Sequence, residues 1–173
     1  MLFVLALLWW HYESDPRDWL VPDDRFSAEI TAAASRYDLD PQLVRAVVFQ
    51  ESRFDPYARG GKGEVGLMQV LPRGAVADWA EYHKKERPGI SELMSPELNL
   101  EIGCWYLSRA KKRWQKYRCS DELALCQYNA GERRAKNWCP QNPDGEVISR
   151  ITISSTRNYV REIMRRYRRY LLQ

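Results

Sequence analysis

The 173-residue sequence contains only two histidines, and none of its four cysteines stands in a C-x-x-C pair. That shortage of ligand chemistry argues against a zinc site, and neither a metal nor an organic cofactor is expected. Strand signals are scarce as well. Residues 147–153 form the one β-rich stretch, so a small ribbon there or in the glycine-rich loop described below is all the β structure expected. Internal repeats and low-complexity segments are absent. No apolar run reaches the ~20 residues that a membrane-spanning helix needs. The longest, residues 1–10, has no Lys or Arg ahead of it and no small-x-small cleavage site behind it. It reads as the remnant of a membrane anchor that starts upstream, or as an uncleaved export signal. A segment packed on the domain is the third alternative.

What is present fits one folded domain. A hydrophobic fraction of 45% is ample for a core and excludes a disordered chain. The expected organisation is an apolar N-terminal segment over residues 1–12, a polar linker over 13–24 and one domain over 25–173. The aromatic share of 12%, with seven Trp and ten Tyr, suits core packing or a groove that stacks sugars or bases. The net charge of +4 conceals an asymmetry, since 11 Lys+Arg face 16 Asp+Glu up to residue 100 and 16 face 7 beyond it. Arg157, Arg161, Arg165, Arg166, Arg168 and Arg169 fit one face of a final helix whose other face is Tyr159, Val160, Ile163, Met164 and Tyr167. A solvated face, an anionic polymer and a membrane surface all suit such a stripe. No nucleic-acid recognition motif accompanies it, so nucleic acid is not an expected partner. An even count of cysteines suits an exported protein. Cys119 and Cys139 flank a helical segment in loop-like sequence and make the preferred bridge, while Cys104 and Cys126 lie inside apolar helical segments.

The pattern is almost wholly helical. A short helix is predicted over 26–37. Asp40 and Pro41 signal the start of the next, which runs to about Ser52. Four glycines and a proline over 54–66 exclude regular helix there. A helical turn over 67–71 and helices over 74–86, 96–117, 120–129 and 132–138 follow, with Ser120 expected as a cap and Gly131 as a break. A basic helix from Ser154 or Ser155 closes the chain.

One residue stands out. Val44, Val47, Val48 and Glu51 share a helical face, and three of the four are apolar. A carboxylate ending such a stripe is pushed toward low dielectric, which raises its pKa and suits it to donate a proton. A carboxylate paired with Arg53 or Arg45 is the plainer alternative.

Three motifs decide between those readings. Glu51-Ser52 ends a helix, Gly66-Leu67-Met68-Gln69 follows the glycine-rich loop, and Ala124-Leu125-Cys126-Gln127-Tyr128-Asn129-Ala130-Gly131 comes later. In that order they resemble the soluble lytic transglycosylase family of lysozyme-like enzymes. Asn99, Gly103, Tyr106 and Leu107 resemble its N-x-x-x-G-x-x-Y-L helix, and residues 156–160 its T-x-x-Y-V; the resemblance covers roughly residues 38–165. It implies a mainly α, lysozyme-like domain with little or no β. It implies Glu51 as single catalytic acid/base, with Ser52, Met68, Gln69, Tyr128 and Asn129 around the substrate and Tyr128 approaching the carboxyl. The implied substrate is the peptidoglycan glycan strand, cut between N-acetylmuramic acid and N-acetylglucosamine. The implied setting is the cell envelope and the expected form is a monomer, with a membrane tether through residues 1–10 where that run is an anchor.

A glycosidase commonly uses two carboxyl groups. Asp55 precedes a proline and suits a turn, and Glu64 sits in the glycine loop, where a solvated charge is the plainer reading. The missing partner fits a reaction in which the substrate's own 6-hydroxyl attacks. The rivals are a lysozyme-type hydrolase using Glu64 or Asp55, and a weakly active glycan-binding assembly component. Met68 as core filler, Gln69 as a turn cap and Tyr128 as a core tyrosine are the plainer readings of those residues.

Overall fold

A computed structural model describes residues 25–173. The apolar segment 1–12 and the linker 13–24 lie outside the described residues. Seven α-helices are present among those described. They are α1 (Ser27–Arg36), α2 (Pro41–Ser52), α3 (Ala75–His83), α4 (Pro96–Trp114), α5 (Ser120–Ala130), α6 (Glu132–Trp138) and α7 (Ser154–Tyr170).

Two of the helix starts follow side-chain chemistry. Asp40 Oδ1 accepts from the Gln42 amide at 2.8 Å, with Pro41 supplying a fixed φ at the first helical position. The other oxygen of Asp40 accepts from the Tyr167 hydroxyl at 2.7 Å. One carboxylate thus caps α2 and ties α7 to it. Ser95 caps α4 in the same manner. Ser120, by contrast, lies within α5, and Cys119 occupies the cap position without a side-chain bond. Gly131 ends α5 at φ 86, and the chain re-enters helix at once as α6.

The long α4 packs against α1, α3 and α5, while α7 packs on α2 and α5. Val44, Val47 and Val48 of α2 are fully buried, each side chain stabilising the fold by roughly 1.5–3 kcal/mol. On α7 the buried side chains are Thr156, Tyr159, Val160, Ile163, Arg166 and Tyr170, at helical spacing. Arg166 therefore departs from the solvated basic face expected for it. Its guanidinium lies 3.4 Å from the centre of the Phe49 ring, a cation–π stack at the α2–α7 contact.

Regular β structure is absent among the described residues. Isolated bridges pair Arg59 with Val65 and Val65 with Val70, so the ribbon forms in the glycine loop. The β-rich stretch near 147–153 forms a 3-10 turn (Ile148–Arg150) between the buried Val147 and Ile151. Leu67 to Gln69 form a turn rather than helix, because Gln69 adopts φ 47 and Val70 returns to pair with Val65. All four cysteines are free thiols, so the expected bridge between Cys119 and Cys139 is not formed. No helix among the described residues is long and apolar enough to cross a membrane.

Candidate active site

Glu51 sits one residue from the end of α2, above the buried valine stripe. Beyond it the chain reverses sharply. Arg53 and Phe54 both take left-handed conformations, at φ 53 and φ 62. Each costs about 1–2 kcal/mol for a non-glycine residue. The burial of Phe54, edge-on to Phe49 at 6.1 Å, offsets that strain. The reversal folds the glycine-rich loop back toward the carboxylate.

Burial pushes the Glu51 carboxyl up from 4.5 to about 7. The Tyr159 hydroxyl donates to its Oε1 at 2.6 Å and works against that rise, and the negative charge of Glu64 adds to it. The carboxyl is thus poised to hold or release a proton near neutral pH. Arg53 and Arg45, the alternative partners, lie over aromatic rings, Phe49 at 5.1 Å and Tyr170 at 5.4 Å respectively.

The other sequence-selected residues divide into frame and wall. The Ser52 hydroxyl donates to the carbonyls of Val48 at 3.1 Å and Leu67 at 2.9 Å, joining the end of α2 to the Gly66–Gln69 turn. The Met68 side chain is fully buried, so it does not line a groove. It packs against Gly103, where a Cβ would lie 2.7 Å from Met68 Cβ. Its main chain is gripped from both sides: its amide donates to Asn99 Oδ1 at 2.8 Å, and its carbonyl accepts from the Tyr128 hydroxyl at 2.8 Å. The Gln69 amide donates to the carbonyls of Ala58 at 3.1 Å and Gly66 at 3.0 Å, which closes the loop as a turn cap.

Tyr128 departs from its expected place. Its hydroxyl is spent on Met68, and the tyrosine that reaches the Glu51 carboxyl is Tyr159. Tyr128 is still near enough to feel the Glu51 charge; burial, and then that charge, hold its hydroxyl well above the ordinary tyrosine range. Sequence reasoning placed Tyr159 on the apolar face of α7. The signal that could have found it is the T-x-x-Y-V segment, whose Thr156 also donates to Asn129 Oδ1 at 2.8 Å.

Asn129 is exposed and lines an open cavity of about 450 Å³ together with Gln50, Lys62, Thr156 and Tyr159. Asp55 accepts from the Tyr57 amide at 2.9 Å, the turn role expected of it. Glu64 is partly buried and accepts from the Lys62 amide at 2.8 Å, so it is a structured loop carboxylate rather than a fully solvated one.

Comparison with known proteins matches residues 29–149 to the family model described as "Transglycosylase SLT domain". The membrane-bound lytic murein transglycosylase E of Buchnera aphidicola is 35% identical over 95 residues, covering 54% of this chain and 43% of its own. The soluble lytic murein transglycosylase of Escherichia coli K12 is 27% identical over 151 residues, covering 82% of this chain and 23% of its own. Among solved structures, an inactive Glu-to-Gln mutant of the lytic transglycosylase Slt from Pseudomonas aeruginosa superposes with a TM-score of 0.76 at 26% identity. It covers 92% of this chain and 26% of that one. The 70 kDa soluble lytic transglycosylase of Escherichia coli superposes with a TM-score of 0.73 at 25% identity, over 88% of this chain and 25% of that one. The chain spans less than half the length of these relatives.

Proposed function

The chain belongs to the transglycosylase SLT domain family, and from that premise we propose that it is a lytic transglycosylase of peptidoglycan. It cuts the β-1,4 bond between N-acetylmuramic acid and N-acetylglucosamine and leaves 1,6-anhydro ends. Glu51 is the single acid/base. It protonates the oxygen that bridges C1 of the muramic acid to the leaving sugar, and the C1–O bond breaks. The carboxylate so formed takes the proton of the muramic 6-hydroxyl, and that oxygen closes on C1. The proton returns to Glu51, so no water is consumed and no enzyme nucleophile is needed.

The observation that carries this reading is one carboxyl raised to about 7 at the end of a buried stripe, held by Tyr159. The names of the relatives support it, since they act as membrane-bound or soluble lytic murein transglycosylases. So does the inactivity of the Pseudomonas relative with a glutamate changed to glutamine. Ser52 and Gln69 serve by fixing the loop that forms the site, and Asn129 by facing the substrate. The protein works in the cell envelope as a monomer, tethered through residues 1–10.

Digestion of purified sacculi with mass spectrometry of the products tests the reading. Anhydro-muropeptides are expected. Reducing ends with one added water would overturn it in favour of a lysozyme-type hydrolase. The specific observation favouring that second reading is Glu64, whose charge reaches Glu51 and which could orient a water.

A further inference from the structure

The outward face of α7 carries charge that the site does not use. Arg157, Arg161, Arg165 and Arg168 fall within about 80° of the helix circumference, along about 16 Å of its length. They stand opposite the buried Tyr159, Ile163, Arg166 and Tyr170. The cavity meets α7 on another edge, at Asn158, Tyr159 and Glu162. Arg161 and Arg168 are exposed, and Arg157 is partly so. Arg157 and Arg161 form no ion pair among the described residues. Arg165 donates to Glu162 at 2.8 Å, and Arg168 feels the charge of Glu122 on α5.

The stripe ends in apolar side chains. Past Arg168 the turn continues, since the Leu172 amide donates to the Arg169 carbonyl at 3.2 Å. Leu172 therefore follows Arg168 at helical spacing, 89% exposed, beside Leu171 at 54%. Arginines suit any polyanion, but a soluble polyanion offers nothing to a leucine pair in line with them. A bilayer interface suits both, because guanidinium groups reach its phosphates and leucines enter its acyl boundary.

We propose that this stripe docks the domain on an anionic lipid surface. The apolar run at residues 1–10 favours the same occupant. The linker over 13–24 spans at most about 40 Å, so it keeps the domain close to any bilayer that run enters. Docking adds orientation to such a tether. With the stripe on the headgroups, the cavity edge of α7 stays off the membrane. The proposal does not depend on the lytic reading.

Cosedimentation of the full chain with vesicles tests it. One preparation is phosphatidylcholine alone, and the other is phosphatidylcholine and phosphatidylglycerol in equal parts. Wild type is expected to prefer the anionic vesicles by roughly 10²-fold, a gap that closes as salt is raised. The Arg157→Gln, Arg161→Gln, Arg168→Gln variant is expected to lose most of that gap and to match wild type on neutral vesicles. Both proteins contain residues 1–10, so any contribution of that run cancels. The Leu171→Ser, Leu172→Ser variant is expected to lose about tenfold on anionic vesicles. All these positions lie at the surface, so the variants fold, which thermal melts verify. Equal binding of wild type to both vesicles overturns the proposal, and so does a triple variant that keeps the gap. A serine variant that binds as wild type does overturns the lipid assignment. Binding of duplex DNA by wild type that leaves both vesicles bare gives the stripe to a soluble polyanion and overturns it as well.

Discussion

The Tyr159 hydroxyl and the Glu51 carboxyl meet at 2.6 Å across 108 positions of sequence. Each stabilises the other in a defined charge state. The tyrosine is held protonated by burial and by the neighbouring charge, so it keeps the hydrogen that it donates to the carboxyl. The glutamate is raised by burial and partly restrained by that donated bond. The balance sets the pH at which the carboxyl changes hands with its proton.

Glu51→Gln keeps the acceptor oxygen for Tyr159 but cannot give or take the proton. Release of anhydro-muropeptides from sacculi should fall by at least about 10²-fold, the lower end of what acid–base catalysis contributes. Circular dichroism should be unchanged. Undiminished turnover would remove Glu51 from the mechanism.

The first step needs the protonated carboxyl, so kcat/KM should decline as pH rises through about 7. Two variants should move that limb in opposite directions. Tyr159→Phe deletes a bond that favours the charged form and moves the limb to higher pH. Glu64→Gln deletes a charge that disfavours it and moves the limb to lower pH. A pH–rate profile for each variant, with anhydro product as the signal, checks both signs.

Glu51 also couples pH to stability. Its carboxyl binds a proton more tightly folded than unfolded, at about 7 against 4.5. The Glu51 contribution is fully present below about pH 4.5 and falls away by roughly 3 kcal/mol as pH rises from there through 7. Glu51→Gln escapes that loss. Urea denaturation should find the variant more stable than wild type at pH 8 and level with it at pH 4.5.

The turn that carries Met68 hangs on Asn99, which is fully buried. Besides accepting from Met68, its amide donates to the carbonyls of Val65 at 2.9 Å and Leu93 at 2.7 Å. Asn99→Leu strands the Met68 amide and the Leu93 carbonyl, while the Val65 carbonyl keeps the Val70 amide, and should cost about 2–3 kcal/mol or more. Gly103→Ala drives a methyl into Met68 and should cost about 1–3 kcal/mol. Chemical denaturation measures both.

Local order proved readable and distant pairing did not. Asp40-Pro41 and Gly131 are punctuation whose meaning lies within a few residues, and the helices begin and end where they stand. The valine stripe pointed to a Glu51 carboxyl at low dielectric, because helical periodicity alone sets which side chains share its face. Tyr159 was on a stripe too, but periodicity separates buried from exposed and does not say what a buried hydroxyl will meet. Met68 shows the same limit from the other side. Its motif marks a place near the site, whereas its role there is carried by backbone groups that any residue possesses. The buried Arg166 was misread because charge suggests solvent, and a ring 3.4 Å away can replace it.

The glycine loop has unequal halves. Its end near Val65–Val70 is locked by Asn99, Ser52 and Gln69, while a side chain added at Gly61 would touch nothing within 4 Å. Residues can therefore be exchanged or inserted at that tip with little effect on the core, since lengthening a surface loop costs slowly. Lys62 stands beside it. The outer wall of the cleft is thus the evolvable part of this protein. Variation at that tip reshapes the cavity wall at Lys62 while the Glu51–Tyr159 pair stays in place.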